Sequence, residues 1–231
     1  MPSYGQYCPV ARASEIVTQR WTPLIIRELL AGARHFNEIH AGVPRMSPSL
    51  LSNRLKDLER VGLVSRDDDS GRPAYHLTQA GLELEPTLLN LGEWGQRWMG
   101  EIQDEHTDPI VLMKDIRTYT DPDDLPDRQT TIEVRFPDVD GPSGIWWLVS
   151  RPDEGVEVCD TDPGHDVDLW LSASVRALTE VWLGDITLDE AVSRHQVSID
   201  GDARVRAAFA NWFVSSPFAE VPRATRPLSR S

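Results

Sequence analysis

The chain has 231 residues, 40% of them hydrophobic, and this length suffices for two ordinary domains with their own cores. A formal net charge of -14 at pH 7 argues against a protein that neutralises phosphates over its whole surface. The acid is unevenly placed, because residues 1–103 hold 11 basic and 12 acidic side chains whereas residues 104–231 hold 12 and 25. A nucleic-acid interface is therefore expected only in the first part, whose net charge is -1, against -13 for the second.

Targeting signals and cysteine content further limit the classes of protein to which the chain can belong. No N-terminal stretch has the charged, apolar and small-residue order of a signal peptide, and no apolar run approaches the ~20 residues of a membrane span. Cys8 and Cys159 lie in unrelated contexts and cannot form a disulfide framework. We therefore expect a cytoplasmic protein with reduced thiols, without a cofactor, a metal site or a membrane partner.

The segment from residue 22 to residue 61 predicts a helix-turn-helix. It begins with a Thr-Pro pair, and the apolar helix that follows ends at Gly32. A short helix in HFNEIHAGV ends at a Gly-x-Pro break. A longer helix then begins at Ser47, whose hydroxyl can cap the first turn, with a proline suited to the first helical position. A short helix, a glycine turn and a longer helix predict a recognition helix starting at Ser47.

The longer helix, within SPSLLSNRLKDLERVGLV, has one apolar face and one acid-free polar face. At about 100° per residue, Leu51, Leu55 and Leu58 lie along one line. Arg54 lies beside the apolar flank, so it must extend to the solvent or find a partner. An ordinary solvated face is the alternative interpretation for such a helix taken alone. The opposite face carries Ser49, Ser52, Asn53, Lys56 and Arg60.

A β-hairpin is predicted after this helix. Residues 63–66 and 74–78 read as short strands joined by DDDSGRP, and a helix-turn-helix followed by such a hairpin is a winged helix. Three consecutive acids, Asp67 to Asp69, would repel phosphate unless they point away, while Arg66, Arg72 and His76 are candidates for wing contacts. The residues predicted to contact DNA are Ser47, Ser49, Ser52, Asn53, Arg54, Lys56, Arg60, Arg66 and Arg72.

Residues 85–102 predict a further apolar helix that a small winged helix need not bury alone. One recognition helix reads only a few base pairs, so a dimer that spans two half-sites is expected. We place the dimer contact on this helix, with help from the first helix of the chain; the alternative is that its tryptophans pack on the C-terminal domain. The contact residues predicted are Leu88, Leu89, Leu91, Trp94 and Trp98, with Ala11, Ile16 and Val17 from the first helix.

These motifs together carry a family resemblance. CPVARASEIVTQRWTPLIIRELLAGARHFNEIHAGVPRMSPSLLSNRLKDLERVGLVSR, with the later AYHLTQAG and LGEWG, resembles the HxlR-type winged helix-turn-helix transcriptional regulators over residues 7 to about 98. The resemblance implies a homodimer that binds a pseudo-palindromic operator in double-stranded DNA, with the helix from Ser47 in the major groove. The acidic wing departs from the pattern.

Cys8 precedes Pro9 at the predicted start of the first helix. The positive end of a helix dipole favours the thiolate form of such a cysteine. Some members of the resembled family sense oxidants or electrophiles through this cysteine, which makes Cys8 a redox-sensing candidate. The alternative is a small residue buried in the dimer interface.

The C-terminal part predicts a separate α+β domain. We assign residues 1–103 to the DNA-binding domain with its dimerisation helix, 104–128 to a linker that includes the polar run DPDDLPD, and 129–231 to the second domain. Strand patterns in TIEVRF, IWWLV, VEV and DVDLWLS, followed by helical spacing in 175–182 and 205–213, predict an antiparallel sheet under helices.

The aromatic side chains of this domain can form its core or line a cavity for an apolar ligand. The segment LTEVWLGDITLDEAVSRHQVSIDGDARVRAAFANWF resembles a sterol-carrier-type lipid-binding domain, which implies a tunnel between sheet and helices and a hydrophobic small-molecule effector. The predicted ligand-binding residues are Trp146, Trp147, Trp170, Trp182, Phe209, Trp212 and Phe213.

No catalytic group is evident in this domain. DTDPGHDVD fails the calcium-loop template and is interpreted as a hairpin loop, and Cys159 with His165 lacks an orienting group. The prediction is therefore a DNA-binding transcriptional regulator, and not an enzyme, with a winged helix-turn-helix followed by a small sterol-carrier-like α+β domain. The alternatives are a lipid-binding or carrier protein whose winged helix mediates protein contacts, or a regulator that senses redox state through Cys8.

Overall fold

The computed structural model describes residues 3–68, 71–120, 126–152, 154–213, 216–225 and 228. It divides into two compact units, Met1–Gly92 and Glu93–Ser231. Among the described residues, no helix combines the length and the apolar character that crossing a membrane requires.

The first unit is a winged helix, as predicted. The leucines Leu51, Leu55 and Leu58 are fully buried with Ile25 and Ile39 in one apolar cluster, so helix packing on that face fixes the unit. Its elements are α1 (Pro9–Val17), α2 (Thr22–Leu30), α3 (Phe36–Ala41), α4 (Pro48–Arg60), β1 (Val64–Asp67), β2 (Ala74–Leu77), α5 (Gln79–Leu82) and α6 (Glu85–Trp98), the last of which extends beyond the unit.

The start of α2 differs from the prediction. Trp21, and not Thr22, occupies the cap position, and its φ of 78° is left-handed, a conformation that few residues other than glycine adopt. The Thr22 hydroxyl is buried and has no hydrogen-bond partner within the described part of the chain. Thr22 was predicted as the cap because a Thr-Pro pair is typical of a cap followed by the first helical residue.

The wing is anchored to the helices at both ends. Strands β1 and β2 pair antiparallel, and the Tyr75 amide donates to the carbonyl of Arg34 at 2.7 Å, just before α3. Beyond β2, the Thr78 hydroxyl donates to the Gly62 carbonyl at 2.6 Å. The hairpin therefore has a fixed position against the end of α4.

The second unit has a five-stranded mixed sheet with the strand order β5-β4-β3-β6-β7. Its apolar core lies on one face of the sheet, and the buried side chains of α7, α8 and α10 contribute to that core. The elements are α7 (Pro109–Tyr119), β3 (Thr130–Arg135), β4 (Ile145–Arg151), β5 (Gly155–Cys159), β6 (Leu169–Ala173), α8 (Val175–Trp182), α9 (Leu188–Ser193), β7 (Val197–Gly201) and α10 (Ala203–Trp212).

Two predictions about this sheet are wrong. The sheet is not wholly antiparallel, because β3 and β6 pair parallel. The loop 160–168 is not a hairpin, since β5 and β6 are not neighbours and run in the same direction, so the loop must carry the chain back to the other end of the sheet. Alternating hydrophobicity marks a strand but carries no information on its direction.

The prediction that residues 104–128 form a linker is wrong for residues 109–119. Those residues form α7, and Leu112, Met113 and Ile116 are buried in the core of the second unit. The polar run after α7 suggested an unpacked segment, but residues 121–125 of that run lie outside the described residues.

Candidate nucleic-acid interface

Helix α4 is oriented by its buried leucines. The Ser47 hydroxyl accepts a hydrogen bond from the Leu50 amide at 3.4 Å, so the predicted cap is present. Because Leu51, Leu55 and Leu58 are at most 1% exposed, the side of the helix opposite to them must face outward.

Asn53 and Lys56 lie on this outward face. Both are exposed, and neither side chain makes a hydrogen bond or ion pair within the described residues. Ser47 and Ser49 are exposed with their hydroxyls 3.3 Å apart, and Ser52 is half-buried. An amide and an amine with unused donors at the centre of an exposed helix face have the chemistry that reads base edges and phosphates.

Arg54 has a different environment from the other predicted contacts. Its side chain is only 17% exposed; it donates to the side-chain carbonyl of Gln19 and lies 3.7 Å from the Asp57 carboxylate. The Gln19 amide in turn donates to the Glu15 carbonyl of α1 at 2.6 Å. Arg54 has thus found a partner, and it holds α4 against the end of α1 and is not presented outward.

Two of the remaining basic residues, Arg60 and Arg66, are paired with neighbouring acids. Arg60 pairs with Asp57 at 2.7 Å and is largely exposed. In the wing, Arg66 pairs with Asp68 at 2.9 Å, and the hydrogen bond and charge of that carboxylate raise the pKa of Arg66. Arg72 and His76 are exposed, while Asp69 lies outside the described residues. The wing therefore offers less net positive charge than its arginines suggest.

Helix α3, which precedes the turn before α4, is fixed by Glu38. Its carboxylate accepts the amide hydrogens of Arg34 at 2.9 Å and His35 at 3.0 Å. Burial raises the pKa of Glu38, but these two hydrogen bonds outweigh burial and the pKa is lowered from its ordinary value of 4.5. The sequence contained this signal, because a glutamate three residues after a helix cap is typical of a capping box.

We expect the winged helix to lose stability in acid partly through Glu38. A lowered folded-state pKa means that the carboxylate stabilises the fold fully above its unfolded pKa, and that this contribution is lost as the pH falls through the folded value. Because Glu38 is exposed and solvent screens its charge, Glu38→Gln should reduce the free energy of unfolding at pH 7 by only roughly 0.5 kcal/mol. It should also flatten the dependence of that free energy on pH below about 5. Denaturation at several pH values measures both effects, with Glu59→Gln, an exposed acid on α4, as the control; an equally steep dependence in both variants would contradict the assignment.

Helices α1 and α6 expose apolar side chains. Neither helix has a fully buried residue. On α6, Leu91, Trp94 and Trp98 share one stripe at helical spacing, and Leu91 and Trp94 are 53% and 47% exposed. On α1, Ala11, Ile16 and Val17 are half-buried or exposed.

Cys8 lies at the cap position of α1 and is half-buried with a free thiol. It lines a shallow cavity of about 250 Å³ together with Tyr4, Gln6 and Val10. Cys159, also free, ends β5, and burial followed by the charge of Glu157 raises the pKa of its thiol.

The described aromatic residues among those predicted to bind a ligand lie on both faces of the sheet of the second unit. Trp146, Trp182, Phe209 and Phe213 are buried in the core of the second unit. Trp147 and Trp170 lie on the other face of the sheet, and the side chain of Trp212 lies outside what the structure describes. Four cavities lined by described residues lie elsewhere.

A winged helix in which the second helix of the helix-turn-helix, α4, presents exposed polar side chains defines a DNA-binding unit. Residues 16–103 match the model of the HxlR-like helix-turn-helix family. The uncharacterised HTH-type transcriptional regulator YvaP of Bacillus subtilis (strain 168) is 39% identical over 99 residues, which cover 41% of this chain and 92% of YvaP. The uncharacterised HTH-type transcriptional regulator Rv3095 of Mycobacterium tuberculosis (strain ATCC 25618 / H37Rv) is 40% identical over 119 residues, which cover 45% of this chain and 73% of Rv3095.

The chain therefore belongs to the HxlR family. It is a DNA-binding transcriptional regulator and not an enzyme, as predicted. Among solved structures, diamide-treated YodB from B. subtilis aligns with 30% identity over 39% of this chain and 93% of YodB, with a TM-score of 0.34.

Proposed function

We propose that the protein acts as a homodimer that binds a pseudo-palindromic operator, with α4 of each copy in the major groove. The observation that carries the proposal is the outward placement of Asn53 and Lys56, which are exposed and make no bond to other described side chains. Base contacts of this kind specify sequence, whereas the arginines at the margins of α4 and in the wing suit phosphates.

The dimer is supported by the stripe of Leu91, Trp94 and Trp98 on α6. Large apolar side chains that share one exposed helix face are typical of a protein interface. A second copy of the same chain is the natural occupant, because a two-fold pair of recognition helices matches two half-sites about one helical turn apart.

The second unit is proposed to report the presence of a small molecule. Its sterol-carrier-like character and its hydrophobic effector rest on the sequence resemblance, and the aromatics buried in its core are the side chains that such a ligand would contact. The rival proposal of a carrier protein, in which the winged helix only mediates protein contacts, is disfavoured by the family to which the chain belongs.

Sensing by thiol oxidation is a second proposed function, and it is compatible with the first. The free thiol of Cys8 is half-buried beside a surface cavity, so an oxidant could reach it. Its place at the start of α1, a helix without a fully buried residue, would couple its chemistry to an exposed helix of the DNA-binding unit.

Operator binding tests the leading proposal directly. Asn53→Ala and Lys56→Ala should each weaken binding to the operator by about 1–3 kcal/mol, because each removes a donor from the centre of the reading face. If Lys56 contacts a phosphate, its variant should also show a smaller dependence of affinity on salt. Fluorescence anisotropy with DNA from the region upstream of the protein's own gene measures both quantities.

The control removes a positive charge elsewhere. Arg194 is exposed after α9 in the second unit, and Arg194→Ala should leave operator affinity unchanged. If the α4 variants fold and bind the operator as the wild type does, α4 is not the recognition helix.

A further inference from the structure

Five side chains form a row across all five strands of the sheet of the second unit. Glu133 on β3 is paired in register with Trp147 of β4 on one side and Trp170 of β6 on the other. Trp147 is in turn paired with Cys159 of β5, and Trp170 with Asp200 of β7. Residues paired in register project from the same face of a sheet, so the two indoles flank one carboxylate. We call Trp147, Glu133 and Trp170 the indole–carboxylate row.

This row lies on the face opposite to the apolar core. Ile132 and Val134, the neighbours of Glu133 along β3, are buried in the core cluster, and successive residues of a strand point to opposite faces. Trp147 is half-buried, and Trp170 is 43% exposed. The row is therefore open to solvent from the side of Trp170.

The spacing suits a cation between the two rings. Neighbouring strands lie about 4.8 Å apart, so Trp147 and Trp170 emerge about 10 Å from each other with Glu133 midway. A cation over Glu133 can then lie within about 6 Å of both ring centroids, the range in which the negative face of an indole attracts positive charge.

Glu133 already binds one planar, delocalised cation, the guanidinium group of Arg135. The residue is only 8% exposed, and its carboxylate accepts a hydrogen bond from the guanidinium of Arg135, the next residue on the same face of β3. A buried carboxylate needs such a partner because removing its hydration is costly. The Arg135 side chain is itself 58% exposed, so an external cation can replace it without unfolding the strand.

The charge around the row favours the same kind of ligand. Asp200 lies next to Trp170 on β7, and its carboxylate accepts a hydrogen bond from the Ser198 hydroxyl at 3.2 Å. Glu157 on β5, which lies on the same face of the sheet, is paired with Arg151 at 2.8 Å. Residues 104–231 carry a net charge of -13, which draws cations toward this unit and repels anions.

We propose that the indole–carboxylate row binds a flat organic cation of the guanidinium or amidinium class. The ligand stacks between Trp147 and Trp170 and donates hydrogen bonds to Glu133, from which it displaces Arg135. Binding itself requires nothing of the DNA-binding unit. A role for this cation as the effector of operator binding rests on the proposed function.

Calorimetric titration of the full-length protein tests the site with three probes of the same shape. Benzamidine should bind saturably, its neutral counterpart benzamide should bind at least tenfold more weakly, and benzoate should not bind. Equal affinities for benzamidine and benzamide, or no saturable binding of benzamidine, would overturn the proposal.

Variants test the named residues. Glu133→Gln and Trp170→Leu should each weaken benzamidine binding at least tenfold, Trp170→Phe should restore part of it, and Glu157→Gln should leave it unchanged. Arg135→Gln should tighten binding several-fold, because the resident guanidinium no longer competes. Weaker binding in Arg135→Gln, with the fold intact by circular dichroism, would mean that Arg135 is part of the site and would overturn the displacement.

Operator affinity measured with and without benzamidine separates this inference from the proposed function. Saturable benzamidine binding without any change in operator affinity supports the cation site and contradicts only the effector role. A loss of operator binding in the α4 variants with benzamidine binding intact supports both assignments independently.

Discussion

Leu91→Glu combined with Trp94→Glu is expected to convert the proposed dimer into a folded monomer. Both side chains lie on the exposed stripe of α6, and a two-fold contact between copies would bring four carboxylates into one apolar interface. Central aromatic and apolar anchors are worth about 2 kcal/mol or more each, so the two changes together should remove the dimer at micromolar concentration. Sedimentation velocity measures the change, and operator affinity should fall with it because one half-site is lost.

The control places the same charge on a different helix. Val192 on α9 is an exposed apolar residue of similar accessibility, and Val192→Glu should leave the oligomeric state unchanged. If the α6 double variant remains a dimer while its circular dichroism is that of the wild type, the interface does not lie on this stripe.

Gly81→Ala is expected to destabilise the winged helix strongly. Gly81 is buried in α5, and a Cβ atom there would lie 2.3 Å from the carbonyl oxygen of Leu63. That oxygen cannot move freely, because it accepts the amide hydrogen of Thr78 at 3.0 Å where the wing returns to the helices. The backbone must shift, at a cost of about 3 kcal/mol, a large share of the stability of a small unit. Hydrogen exchange of the α4 amides should accelerate accordingly.

Gly95 provides the matched control. It is also helical, but a Cβ atom there meets nothing within 4 Å, so Gly95→Ala should leave the exchange of α4 unchanged or slower. If the α4 amides exchange as slowly in Gly81→Ala as in the wild type, the close approach of α5 to the end of α4 is not what holds the wing in place.

The DNA-binding unit could be predicted because its signals are local. The cap at Ser47, the leucine spacing of α4 and the hairpin after it each depend on residues within one or two turns of the chain. Arg54 shows the limit of prediction from local signals. Helical periodicity placed it beside the apolar flank, but only the fold could show that its side chain donates a hydrogen bond to Gln19.

The second unit was less predictable because its arrangement depends on pairing between distant segments. Alternation in DVDLWLS correctly indicated that Trp170 turns away from its apolar neighbours, and IWWLV indicated a strand apolar on both faces. Which strand lies beside which is not contained in such patterns. The flanking of Glu133 by two indoles became visible only when the parallel pairing of β3 with β6 was known.

The parallel pair at the centre of the sheet also makes the second unit depend on contacts between distant parts of the chain. Pairing of β3 with β6 closes a long stretch of chain that holds β4, β5 and the loop 160–168, so loop-closure entropy opposes it. The winged helix needs only helices and one local hairpin. Because synthesis proceeds from the N-terminus, a chain still on the ribosome can present a folded α4 before β7 and α10 have emerged to complete the sheet.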